Sequence, residues 1–195
     1  MSTQQEIAKA EELLLLATEL GALRFGDFVL ASGQRSTYYF DGRLLTLSPA
    51  GANLIAGLLL PALRRYGAQA VGGPAVGAVP LVTEIAMLSG LDGGNPLPGF
   101  FVRKEAKAYG LGNAIEGPIQ NKNPIAIVDD TCSTAGSLYM AINAVEEAGY
   151  KVAVVASILD RDQGGRDRLA SDGYTFHTIF RANDAGEVTL AENPG

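Results

Sequence analysis

Over residues 4–20 the apolar positions recur at helical spacing. Ile7, Leu14 and Leu15 stand among Glu6, Lys9 and Glu12, which predicts an amphipathic helix that Gly21 can end. Residues 28–30 and 37–40 are short aromatic or β-branched runs on either side of Ser32-Gly33-Gln34, the pattern of a hairpin. Ser48-Pro49 then reads as a cap followed by a helix start, and Gly67 as a stop after Arg64 and Arg65. From there the period alternates. Residues 70–73 predict a strand, 80–88 a helix, 99–102 a strand, 124–128 a strand, and 138–148 a helix ending at Gly149. Residues 152–159 predict a strand, 166–171 a short helix and 174–180 a last strand.

Strands alternating with helices imply right-handed crossovers and a parallel sheet. The runs 125–128 and 152–158 are apolar without alternation, so both sheet faces are covered. The fold class predicted is α/β, a mostly parallel central sheet with helices on both faces. The first 45 residues do not fit the alternation and predict a small cap, or hood, over one end of the sheet. We expect one domain over 1–195, with 1–45 as helix and hairpin and 46–182 as the α/β core. Ligands in such sheets lie beyond the strands' C-terminal ends, which directs attention to 72–78, 103–113, 129–137 and 160–165.

Composition narrows the chemistry. The 195 residues are 47% hydrophobic and 18% charged, enough for a sizeable core. The formal net charge of −6 disfavours a general nucleic-acid partner, because phosphate neutralisation supplies most of that affinity. One cysteine, Cys132, allows no internal disulfide and suits a reducing cytoplasm. The N-terminus lacks the pattern of a leader, and the apolar stretch 54–63 is too short for a bilayer and contains Pro61. A soluble cytoplasmic protein without membrane contact is expected. With one histidine, His177, in an apolar run, a His/Cys metal site is excluded and His177 reads as a strand residue.

The segment 125–137, IAIVDDTCSTAGS, carries the strongest chemistry. A buried strand delivers two carboxylates, a turn of small and hydroxylated residues follows, and a helix begins. Such a turn lets backbone N–H groups face a phosphate at a helix N-terminus. Adjacent carboxylates would repel that phosphate directly, but fit ribose hydroxyls or positive charge at an anomeric carbon one ring away. A plain strand–turn–helix joint with capping hydroxyls would use the same residues. Neither a nucleotide P-loop nor a dinucleotide glycine pattern is present. Arg103, Lys104 and Lys107 gather three of the 15 basic residues in five positions, followed by Gly110 and Gly112. They suit a pyrophosphate, or are a solvated charged loop. Arg161 suits a carboxylate or carbonyl edge, or pairs with Asp160 or Asp162. Cys132, near a helix N-terminus, is a small buried filler in preference to a reactive thiolate.

Segment 125–137 resembles the phosphoribosyl pyrophosphate loop of type I phosphoribosyltransferases. Three more segments resemble one branch, the orotate phosphoribosyltransferases: FGDFVLASG at 25–33 its hairpin, RKEAKAYG at 103–110 its mobile catalytic loop, and LDRDQGG at 159–165 its substrate-side turn. The match in order and spacing spans about 25–180. The segment 73–78, GPAVGA, resembles the phosphoribosyltransferase loop whose backbone meets the pyrophosphate, or is an ordinary strand-to-helix turn. The resemblance implies transfer of phosphoribose from phosphoribosyl pyrophosphate to orotate, giving orotidine 5′-monophosphate and pyrophosphate in pyrimidine biosynthesis. It implies Lys107, Asp129 and Asp130 as catalytic, and Arg103, Lys104, Lys107 and Tyr109 on the pyrophosphate. Asp129, Asp130, Thr131, Cys132, Ser133, Thr134, Ala135, Gly136 and Ser137 would hold the ribose 5-phosphate, and Ser133, Arg161, Tyr39 and Phe40 the orotate. Mg²⁺ would arrive on the pyrophosphate, with no dedicated protein site. A homodimer is implied, in which loop 103–113 serves the partner's site. The chain departs from many relatives at Ala31 and Gly77, where lysine is common, and at Tyr109, where histidine is. Thr131, Cys132 and Ala135 are also unusual. A purine phosphoribosyltransferase is the enzymatic alternative, opposed by the turn 160–165. A non-catalytic sensor of phosphoribosyl pyrophosphate is another, opposed by the cationic loop and the acidic net charge.

Overall fold

The computed structural model describes residues 4–29, 35–104, 114–119, 122–183 and 185–193. In chain order the elements are α1 (Gln4–Glu19), β1 (Leu23–Val29), β2 (Arg35–Phe40), α2 (Arg43–Thr46), α3 (Pro49–Arg65), β3 (Val71–Pro74), α4 (Val79–Leu91) and β4 (Gly99–Val102). They continue with β5 (Ile115–Glu116), β6 (Ile125–Cys132), α5 (Gly136–Glu147), β7 (Val152–Asp160), α6 (Gly165–Ser171), β8 (Phe176–Ala182) and β9 (Val188–Leu190).

The main sheet runs β5-β4-β3-β6-β7-β8-β9. Its five inner strands are parallel and its two short edge strands antiparallel. Side chains of β6 go alternately to its two faces, as the pleat requires. Ala126 and Val128 join a core with Leu13, Ile55, Leu59, Leu81 and Ile85 of α1, α3 and α4. Ile125 and Ile127 join a second core with Leu138, Ile142 and Val145 of α5 and Leu169 of α6. Two cores on two faces of one strand are why 125–128 shows no polar alternation.

α3 begins as its sequence reads: Gly51 N–H donates to the Ser48 hydroxyl at 3.0 Å, with Pro49 in the first turn. Three elements escaped the sequence pattern: α2, β5 and β9 have at most four residues each, too few to show a period. Ala10, Leu13 and Ala17 of α1 belong to the main core, while β1 and β2 form a separate two-stranded antiparallel sheet. β9 adds to the main sheet beyond residue 182.

The chain leaves β3 for β4 on one side and later lays β6 on the other, so strand order reverses between β3 and β6. The crevice beyond their C-terminal ends is where this topology places a ligand.

Candidate active site

β6 carries Asp129 and Asp130 to that crevice. Asp129 is 6% exposed. Its carboxylate accepts the Ser137 hydroxyl at 2.7 Å and the Asp130 N–H at 3.0 Å. Thr131 donates its hydroxyl to Asp130 at 3.3 Å. Burial, reinforced by the charge of Asp130, pushes the Asp129 carboxyl well above the usual carboxylate range. Burial raises Asp130 too. A site that makes two carboxylates costly to ionise favours a positive partner between or beside them.

After Asp130 the backbone turns into α5 through Ala135, which adopts the left-handed conformation (φ 61°, ψ 16°). A Cβ there is unfavourable by about 1 kcal/mol, which is the physical reason glycine suits the position. Thr134, Gly136 and Ser137 are exposed at this turn and Ser133 is half-buried. The turn is braced from below: Gly165 N–H donates to the Ser133 carbonyl at 2.9 Å, and Arg161 N–H to the Cys132 carbonyl at 2.8 Å. A Cβ on Gly165 would lie 2.5 Å from the Ser133 carbonyl oxygen.

The neighbouring loops converge here. Ala75 N–H donates to the Val102 carbonyl at 2.8 Å, and a Cβ on Gly77 would stand 3.7 Å from the Asp129 carboxylate. From the other side, a Cβ on Gly42 would stand 2.6 Å from that of Asp130, so the chain leaving the hairpin presses directly on the second carboxylate. Asp41 beside it is held by Arg43 in a two-point pair, 2.8 Å for each contact, which keeps its carboxyl below the usual range.

Some predicted site residues have other places. Cys132 is fully buried, as a small filler would be; burial with Asp160 nearby pushes its thiol up to about 12, and its side chain packs toward Gly165. Phe40 is buried in the main core. Tyr39 lies against Phe28 (5.7 Å between centroids) with the Arg24 guanidinium 5.0 Å from its ring. The Ser137 hydroxyl lies 2.7 Å from the Asp129 carboxylate and donates to it.

Arg161 escapes both of the acidic partners its sequence neighbours offered. Asp160 pairs with Arg166 at 2.7 Å and Asp162 with Arg181 at 2.7 Å. Arg161 instead donates Nε–H to the Tyr38 hydroxyl at 3.2 Å, with its guanidinium 4.9 Å from the ring centre. Tyr38 was not among the predicted residues. Period-2 alternation along β2 puts Tyr38 and Tyr39 on opposite sides, and the packing of the hairpin decides which of them meets Arg161.

Arg103 follows β4, donating its N–H to the Ala114 carbonyl at 2.8 Å and Nε–H to Glu116 at 3.1 Å. Lys104 is exposed at the end of the described stretch. Lys107 and Tyr109 lie outside the described residues, as does Ala31. β5 pairs Ile115 with Val102, which fixes both stems of the 105–113 segment beside the crevice.

No protein-family model matches the chain. Curated relatives do. The orotate phosphoribosyltransferase of Thermococcus gammatolerans is 35% identical over 180 residues, covering 91% of this chain and 92% of that protein. That of Synechocystis is 37% identical over 183 residues, covering 93% and 91%. The chain belongs to the orotate phosphoribosyltransferase family. Solved structures agree. The Mycobacterium tuberculosis H37Rv orotate phosphoribosyltransferase in complex with Fe(III) dicitrate matches with a TM-score of 0.79 and 31% identity, over 92% of this chain and 99% of that one. Its complex with 5-phospho-α-D-ribosyl 1-diphosphate matches at 0.75 and 29%, over the same shares.

Proposed function

We propose that the chain transfers phosphoribose from phosphoribosyl pyrophosphate to orotate, releasing pyrophosphate and forming orotidine 5′-monophosphate. The observation that carries this reading is the β6–α5 turn. Two carboxylates, one buried and one partly buried, precede a turn of small and hydroxylated residues at a helix start, and Arg161 stands nearby with no acidic partner among the described residues.

The 5′-phosphate lies on the turn, met by backbone N–H groups of 133–137 and the hydroxyls of Ser133 and Thr134, with the α5 N-terminus adding partial positive charge. Asp129 and Asp130 face the ribose. As the bond to pyrophosphate lengthens, positive charge grows at the anomeric carbon, and two carboxylates held in a site that penalises their ionisation stabilise it selectively. The pyrimidine nitrogen attacks that carbon; its bond forms as the carbon–oxygen bond breaks, and the electron pair leaves with pyrophosphate. Arg103, Lys104, Lys107 and Tyr109 receive the leaving group, and the 73–78 backbone meets it from below. Arg161 meets the orotate.

Among the described residues no cluster of three His, Cys, Asp or Glu forms a metal cage. The donors present, two adjacent carboxylates, fit a hard cation that brings most of its oxygen ligands with it. Mg²⁺ carried by the pyrophosphate would neutralise charge on the leaving group.

A homodimer accords with the surface. Leu44 and Leu47 of the α2 region, Val76, and Met87 and Leu91 of α4 are exposed large apolar side chains, and α2 packs against α4. We place the protein in the cytoplasm, where its one buried cysteine stays reduced; no helix among the described residues is long and apolar enough to cross a membrane.

Pyrophosphate release with Mg²⁺, phosphoribosyl pyrophosphate and, separately, orotate, adenine, guanine and hypoxanthine tests the reading. Release with orotate alone is expected. Release with a purine instead identifies a purine enzyme, and tight binding of phosphoribosyl pyrophosphate without release identifies a sensor.

A further inference from the structure

The turn after β7 and the hairpin meet across a small cavity of about 160 Å³, whose lining includes Asp27, Arg35, Tyr38, Arg161, Gln163 and Asn183. We propose that Tyr38 is a positioning residue. It fixes the Arg161 guanidinium so that the charge and the outer N–H groups are kept for an anionic base, and it thereby sets the preference for a base that carries a carboxylate. The proposal rests on the reading that Arg161 meets the base.

Four observations carry it. First, the acids next to Arg161 in sequence are occupied elsewhere: Asp160, fully buried, is held by Arg166, and Asp162 by Arg181. Second, the contact Arg161 does make is to a neutral phenol, through Nε at 3.2 Å and over the ring at 4.9 Å. A carboxylate there would neutralise the guanidinium. A phenol orients it and leaves the charge available. Third, Arg161 Nη2 is buried and has no hydrogen-bond partner among the described residues. A buried cationic donor left unmatched is costly, and a ligand carboxylate or carbonyl would satisfy it. With Nε held by Tyr38, the two outer nitrogens remain as the fork that suits a carboxylate.

Fourth, Tyr38 is itself rigid. It is 4% exposed, and its N–H and carbonyl both engage the Ser36 hydroxyl, at 3.3 and 2.6 Å. The turn at Gly186 closes over it: a Cβ added to Gly186 would lie 3.2 Å from the Tyr38 ring. Arg161 is anchored at its backbone by the Cys132 carbonyl, which ties base side to phosphate side across the neighbouring ends of β7 and β6. The ring therefore has one position from which to present its hydroxyl.

The test is steady-state kinetics of Tyr38→Phe, Arg161→Gln and the double variant, with KM measured separately for orotate and for phosphoribosyl pyrophosphate. Tyr38→Phe keeps the ring and the fold but removes the oriented acceptor. KM for orotate should rise about tenfold, as expected for losing one hydrogen bond to a charged group, with KM for phosphoribosyl pyrophosphate unchanged and kcat altered less than about threefold. The preference for orotate over uracil, which lacks the carboxylate, should fall. In the Arg161→Gln background, adding Tyr38→Phe should do nothing further. An unchanged orotate KM in Tyr38→Phe, an equal rise in both KM values, or additive effects in the double variant overturns the proposal. A wild-type protein that consumes no orotate overturns the underlying reading, and this one with it.

Discussion

Glu84 lies on the inward side of α4 with 6% of its surface exposed, and both its carboxylate oxygens are buried without a hydrogen-bond partner among the described residues. Burial alone raises it from 4.5 to about 9. The sign follows from proton uptake. The folded state binds the proton more tightly than the unfolded chain, so this group's stability contribution is complete below pH 4.5 and is lost as pH rises toward 9. The loss within that window is about 1.4 kcal/mol per pH unit, or roughly 2.7 kcal/mol between about pH 6 and pH 8. Replacing Glu84 by glutamine keeps the shape and removes the titration. Urea unfolding followed by circular dichroism, at one protein concentration and at several pH values, gives the stability difference between wild type and Glu84→Gln. That difference should shift in favour of the variant by roughly 2–3 kcal/mol from about pH 6 to pH 8. Stability curves that stay parallel within about 0.5 kcal/mol across this range would refute the reasoning.

Three further outcomes are expected. The Cys132 thiol, fully buried and raised to about 12, should be inert to a thiol reagent in the native protein and react only on unfolding; fast native-state reaction contradicts its burial. Gly165→Ala should cost about 1–3 kcal/mol in thermal or urea unfolding, because backbone oxygen and sulfur atoms stand where the methyl would go; an unchanged midpoint counts against the bracing of the turn. Lys107→Ala should lower turnover by about 10²–10³ if that lysine acts on the departing pyrophosphate; unchanged turnover removes it from the mechanism.

Much of this was legible in the chain because periodicity is a long-range pattern. α1, α3, α4, α5, β6 and β7 are each long enough, or apolar enough, to announce themselves, and Asp129 and Asp130 sit where a buried strand must end. What stayed hidden depended on tertiary partners. Arg161 could have paired with either adjacent aspartate, and only the positions of Arg166 and Arg181 show both to be taken. Ser137 reads as a phosphate donor, and only the fold shows Asp129 2.7 Å from its hydroxyl. The choice between Tyr38 and Tyr39 turns on the register of a hairpin whose β1 partner shows little alternation in its own sequence. The pressure of Gly42 on Asp130 joins residues 88 positions apart and leaves no local trace.

The central claim is that the β6–α5 turn holds a phosphate. Calorimetric titration of ribose 5-phosphate into wild type and Thr134→Asp tests it most directly. Thr134 is exposed just before α5, where an added carboxylate is favourable to the helix and leaves the fold intact. A phosphate on that turn would meet the new charge at about 5 Å, costing roughly 3 kcal/mol at an effective dielectric near 20, which is a loss of more than about 100-fold in affinity. Wild type that binds ribose 5-phosphate while a stably folded Thr134→Asp does not is the result predicted. Equal binding by both proteins would place the phosphate elsewhere and contradict the account.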